Sequence, residues 1–309
     1  MPSLRVLYRD TDRMPYLCVL KEACSERGLE LVIVKAEGRE FGELLQRGQA
    51  DVLAENYWGL QSFRARGEPF LSVASAVSFL NERLFIHPDL GGLLGLNGKR
   101  FAIRETGPQL LIPALWLKDH GLKVEQVIYS ERETGRWGHW TKVAEGECQG
   151  CFVTDLYAQA PHAAGLKEIP IARYGFLGNV TLTLTEGLIG SRGADVQTLV
   201  DSCFAATRTF KSDRAATLRI MAGEPRRLLE TQLEVPDDAS LERIYETLRD
   251  ELSDNPVPTA DAIWNVWRMR LDTAPELVNF NPLLMWDLSF ARRAWQAQHY
   301  TGSHHARGS

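Results

Sequence analysis

Hydrophobic and polar positions change period several times along the first sixty residues. Leu4 to Leu7 is a short apolar run, and a polar loop follows through Arg13. From Met14 to Arg27 the apolar residues Tyr16, Leu17, Leu20 and Cys24 recur at helical spacing. Gly28 closes that helix, and Leu29 to Lys35 predicts a second strand. Phe41 to Gln46 reads as a short helix. Asp51 to Ala54 reads as a third strand, followed directly by a loop of Glu55, Asn56, Tyr57 and Trp58. Strands and helices in this alternation predict an α/β fold with a mostly parallel, covered sheet.

Phe70 to Phe79 and Arg83 to His87 are β-prone and carry the chain toward a second lobe. That lobe is organised around Leu96 to Gly121. Asn97-Gly98 predicts a turn, Arg100 to Ile103 a strand, Arg104 to Gln109 a loop, and an amphipathic helix ends at Gly121. Pro108 suits a first helical position, and the backbone N–H groups there, with Thr106 and Gly107, would suit an anion. The competing reading is an ordinary strand-to-helix loop with solvated charges. Val124 to Tyr129, Cys151 to Val153 and Glu168 to Ile171 predict further strands, with a short helix from Asp155 to Ala164. Glu131 to Trp140 reads as a charged, aromatic loop. Val180 to Leu184 reads as a strand, and Asp195 to Phe210 as an amphipathic helix with Val196, Leu199, Val200, Phe204 and Ala205 buried. Helices separated by turn signals, carrying Trp264, Trp267, Trp286 and Trp295, then run to Gln298 and would wrap the first lobe. The expected division is 1–80 with 186–298 as lobe 1 and its C-terminal helices, 81–185 as lobe 2, and 299–309 as a disordered tail.

Composition narrows the partners. The net charge of −5, with 44% apolar and 24% charged residues, argues against nucleic acid or an anionic membrane as the main partner. No apolar run reaches the length of a membrane span. The start enters a strand at once, which predicts a cytoplasmic protein; a leader trimmed from the sequence would make it periplasmic. Five scattered cysteines do not suggest a disulfide framework. Cys148-x-x-Cys151 has no second Cys/His pair at zinc spacing and reads as two structural thiols.

The order of several segments resembles a known family. Pro15-Tyr16-Leu17, Glu22 and Arg27 to Leu31 are similar to the opening of type II periplasmic-binding-protein folds. Leu44 and Arg47 to Val52, Leu96 to Ile103 with Gly121-Leu122, and Thr154 to Ala158 with Gly165-Leu166 resemble later units of the same fold. The branch resembled binds sulfonates, nitrate and thiamine precursors, and the resemblance covers residues 4 to 210. It implies two α/β lobes around a ligand cleft, with extra C-terminal helices here. A cytoplasmic branch includes decarboxylases of the dihydroxyphthalate type, and Asp51 to Glu55 resembles that branch.

On this resemblance four loops converge on the ligand: Arg9–Arg13, Glu55–Trp58, Arg104–Gln109 and Thr154–Tyr157. Arg9, Arg13 or Arg104 would hold a carboxylate or sulfonate by a bidentate bond. Tyr57 and Trp58 would supply flat walls, unless they are core residues beneath the sheet. Asp10, Glu55, Asn56, Thr106, Gly107, Thr154 and Asp155 complete the expected ligand-binding set. The leading expectation is therefore binding of a small organic anion, aromatic ligands included, with no cofactor; homodimerisation is left open. The alternative is a decarboxylase. It would draw on Glu55, His87, His139 and Asp155 as acids or ligands, with a divalent metal as an option. No dinucleotide fingerprint, P-loop or Ser/His/Asp order is present.

Overall fold

The computed structural model describes residues 1–9, 13–36, 41–80, 82–105, 112–135, 137–178, 180–223, 225–226 and 238–300. Two compact units divide the chain. Unit 1 holds Met1–Phe79, Gly175–Trp267 and Thr273–Ser309; unit 2 holds Leu80–Tyr174 and Arg268–Asp272.

Unit 1 begins with β1 (Ser3–Tyr8), α1 (Met14–Ser25), β2 (Glu30–Lys35), α2 (Phe41–Gln46), β3 (Val52–Glu55), α3 (Trp58–Ala65) and β4 (Phe70–Ser75). Unit 2 follows with β5 (Glu82–Ile86), β6 (Arg100–Arg104), α4 (Ile112–Asp119), β7 (Glu125–Tyr129), α5 (Glu131–Thr134), α6 (Thr141–Ala144), β8 (Gly150–Thr154), α7 (Gln159–Ala163) and β9 (Lys167–Ile169). The return to unit 1 brings β10 (Thr181–Thr185), α8 (Glu186–Ser212), α9 (Arg214–Met221), α10 (Asp238–Glu251), α11 (Ala260–Arg270) and α12 (Ser289–Tyr300).

Each unit has a five-stranded sheet, ordered β2-β1-β3-β10-β4 and β7-β6-β8-β5-β9. The strands reached through a helix are parallel: β1 pairs in parallel with β2 and β3, and β6 with β7 and β8. In contrast, β5 and β10 run antiparallel to both of their neighbours. The physical reason lies in the connections. A parallel strand needs a crossover that returns the chain to the starting edge. β5 and β10 are instead the first strands after the chain passes from one unit to the other, and no helix separates them from the preceding strand. β10, the strand read over Val180 to Leu184, pairs with β3 and β4 and so belongs to unit 1, the main segment of unit 2 running Leu80–Tyr174.

Local chemistry accounts for most boundaries. Gly98 and Gly121 have positive φ at the predicted turn and helix end, and the Asn97 side chain accepts from Lys123 N–H at 2.9 Å. The predicted face of α1 is buried against α8, where the Tyr16 hydroxyl meets Thr207 Oγ1 at 2.9 Å. The α8 helix starts at Glu186, nine residues ahead of the expected Asp195, capped by Thr185. Gly187, Gly190 and Gly193 weaken helical propensity there, and the backbone leaves helical geometry at Arg192. Val180, just before β10, has φ +72°, a costly backbone for a β-branched residue. Its side chain is fully buried, which holds the conformation in place.

Candidate functional site

In an open α/β sheet the carboxyl ends of the strands are where ligands bind, because loops and helix starts gather there. In unit 1 the residues at those ends are Arg9, following β1, and Glu55, ending β3. Glu55 is buried, and its carboxylate accepts from the backbone N–H of Arg9 at 3.2 Å and of Asn56 at 3.3 Å. Sequence reasoning placed Glu55 in a loop; it is the last strand residue.

Arg13 caps α1 and is 8% exposed, and its guanidinium forms a buried ion pair with Glu251 at the end of α10. The segment after Glu251 is pinned to the end of β4: Ser253 N–H donates to Ala76 O at 2.8 Å, and Ser75 N–H to Pro256 O at 3.1 Å. The Arg13 guanidinium expected to hold a ligand thus already meets the chain's own carboxylate through Nη1. Glu251 lies 238 positions away, so no sequence signal announces it.

The expected aromatic walls are core instead. Tyr57 is fully buried, and its ring meets Trp286 edge-on at 5.4 Å. Trp58 opens α3, donates from its indole N–H to Leu177 O at 3.2 Å and packs on Phe176. The half-turn read as a loop is the start of a helix, which turns both rings into the packed interior.

Unit 2 presents a different arrangement. Arg104 ends β6 and is 8% exposed. Its guanidinium carbon lies 3.8 Å over the Trp137 ring, and Nη2 is 3.3 Å from Glu131, whose side chain is 41% exposed. Trp137 in turn stacks on Tyr157, with centroids 4.9 Å apart and planes at 21°. Both rings are half-buried. Trp137 lies in the charged, aromatic loop and Tyr157 ends the Thr154–Tyr157 loop, and nothing local in the sequence shows that they meet.

His139, in the short 3-10 turn Gly138–Trp140, is 2% exposed. Its Nε2 is 2.7 Å from Phe152 O. Burial pushes its pKa down to about 4, with the neighbouring Arg104 charge adding to the effect and the Phe152 bond opposing it. Thr154 is buried at the end of β8, and Asp155 forms an ion pair with Arg83, which also reaches Glu168 at 3.3 Å. His87 follows β5 and accepts at Nδ1 from Asp89 N–H at 3.4 Å. Asp10, Thr106 and Gly107 lie outside the described residues, and so does the expected anion site at Pro108.

Among the described residues no group of three His, Cys, Asp or Glu side chains is placed to hold a metal ion. Cys148 and Cys151 are both free and buried, and desolvation raises both thiols above their ordinary pKa. No helix of the described chain is long and apolar enough to cross a membrane.

No protein-family model matches the chain, and no curated protein matches it. Solved structures match over almost its whole length. The periplasmic sulfonate-binding protein of a sulfonate ABC transporter from Methylobacillus flagellatus KT superposes with a TM-score of 0.68 at 14% identity, covering 96% of this chain and 95% of that one. The periplasmic aliphatic sulphonate-binding protein of Escherichia coli gives 0.63 at 14% identity, over 97% and 99%. A desulfurization enzyme, solved as a cysteine-to-serine mutant in complex with biphenyl-2-sulfinic acid, gives 0.61 at 14% identity, over 96% and 100%. The chain has the type II periplasmic-binding-protein fold, two α/β units with one antiparallel strand in each sheet.

Proposed function

We propose that this chain binds a small organic anion, an aromatic sulfonate or carboxylate, with Arg104 as its principal charge partner. One observation carries this reading. A guanidinium at the carboxyl end of β6 lies over an indole ring at 3.8 Å, and so is held and desolvated before any ligand arrives. A ligand anion would compete for it with Glu131, whose side chain is exposed. The Trp137–Tyr157 stack supplies the flat surface first sought at Tyr57 and Trp58. Sulfonate binding by neighbours of the same fold supports the choice of anion, and the biphenyl-2-sulfinic acid complex supports an aromatic one.

A thermal-shift screen with benzenesulfonate and benzoate tests the proposal. A ligand that raises Tm for the wild type, and no longer does so for Arg104→Lys, is the expected result. Failure of every aromatic sulfonate and carboxylate to bind would overturn it. Release of carbon dioxide from a bound carboxylate would replace it with the carboxy-lyase reading, which no observation on the described residues favours at present.

A further inference from the structure

The ring of His139 is held by one bond whose direction is fixed. Phe152 O is a carbonyl and can only accept, so Nε2 carries the proton. In the neutral imidazole Nδ1 is then a bare acceptor. That nitrogen is buried and has no hydrogen-bond partner among the described residues. An orphaned buried acceptor is a standing cost to the folded chain, so a group that satisfies it gains a matching advantage.

The position of this atom gives it meaning. His139 follows Trp137 by two residues, and the turn that holds it packs on both β6 and β8. The same turn therefore sets the indole under Arg104 and the imidazole close enough for the Arg104 charge to be felt at the ring. A cationic donor ending β6 and a neutral acceptor on the turn packed against β6 and β8 thus belong to one local cluster of unit 2.

Resting on the function proposed above, we infer that His139 Nδ1 is a specificity-determining acceptor for a hydroxyl or amino group carried by the ligand beside its anionic group. The ligand class is accordingly narrowed from aromatic anions to those bearing a hydrogen-bond donor on the ring. A site with a buried acceptor discriminates strongly against an analogue lacking the donor, because the acceptor is then left unpaired.

Titration calorimetry of the full chain with benzenesulfonate and its three hydroxy isomers tests this. One isomer should bind at least tenfold more tightly than benzenesulfonate, and His139→Phe should reduce that ratio to below about twofold. Equal binding of all four probes, or a preference that survives in His139→Phe, overturns the inference and leaves anion binding standing. Absence of binding by all four, and by benzoate and its three hydroxy isomers as well, overturns both. Should His139→Phe fail to fold, the imidazole ¹⁵N spectrum of the wild type decides. The Nδ1 resonance of His139 must move toward the protonated range on adding the preferred hydroxy isomer and not on adding benzenesulfonate. An unmoved resonance means that water or nothing occupies the acceptor, and the inference falls.

Discussion

Arg104 is subject to two demands, since the residue that would recognise an anion is also part of the packing of unit 2. Its guanidinium covers Trp137 and is 92% shielded from solvent, so removing it exposes an indole face as well as deleting a charge. Arg104→Lys should therefore weaken benzenesulfonate binding by at least tenfold and also lower stability by about 1–2 kcal/mol, since a desolvated cation–π contact is worth about 2 kcal/mol and the ammonium recovers only part of it. Calorimetry of binding and of unfolding separates the two effects. His139 makes a second residue-level prediction. Its folded pKa of about 4 lies below the ordinary value of 6.5, so the unfolded chain takes up a proton more readily. Stability is then full above pH 6.5 and falls as pH drops from 6.5 toward 4, by up to about 3 kcal/mol. Chemical denaturation across that range should show the slope for the wild type, and His139→Phe should flatten it. A slope of the same size in the variant would assign the acid sensitivity to other groups.

At the level of elements, the strand ends are held by contacts that leave little room. A Cβ added at Gly150, the first residue of β8, would lie 2.8 Å from Leu96 Cδ2 and 3.0 Å from Phe101, both in the packed core of unit 2. Gly150→Ala should destabilise the protein by about 1–3 kcal/mol, the usual cost of overpacking. An unfolding midpoint equal to that of the wild type would show that the core gives way cheaply. The ion pair joining α1 to α10 is a stronger case. Glu251→Ala leaves the Arg13 guanidinium buried beside an absent partner, and a loss of about 3 kcal/mol is expected. The same contact shows what the sequence around Arg13 leaves open. Its helix-capping position was legible from Met14 onward, but the carboxylate that neutralises it arrives from a helix far along the chain. For Tyr57 and Trp58 the sequence leaves ligand wall and core both open, for a related reason. The pair follows a strand in sequence, and only the helix that begins at Trp58 shows that both rings turn inward.

For the whole molecule, ligand binding should act as a global stabiliser, since only the folded chain assembles the strand ends. Benzenesulfonate at one hundred times its Kd should raise unfolding free energy by about 2.7 kcal/mol. A smaller rise at saturating ligand would mean that binding does not require the native fold. The hydrophobic and polar pattern by itself determined the α/β class, the position of nearly every strand and the turns at Gly98 and Gly121. These depend on interactions between residues close in sequence: alternation, helical period and the backbone freedom of glycine. Tertiary structure alone decided that β5 and β10 would run antiparallel, that Arg13 would meet Glu251, and that Arg104, Trp137 and Tyr157 would stack. Each of those outcomes joins segments that the chain brings together only when its sheets have formed, and one-dimensional spacing carries no record of them.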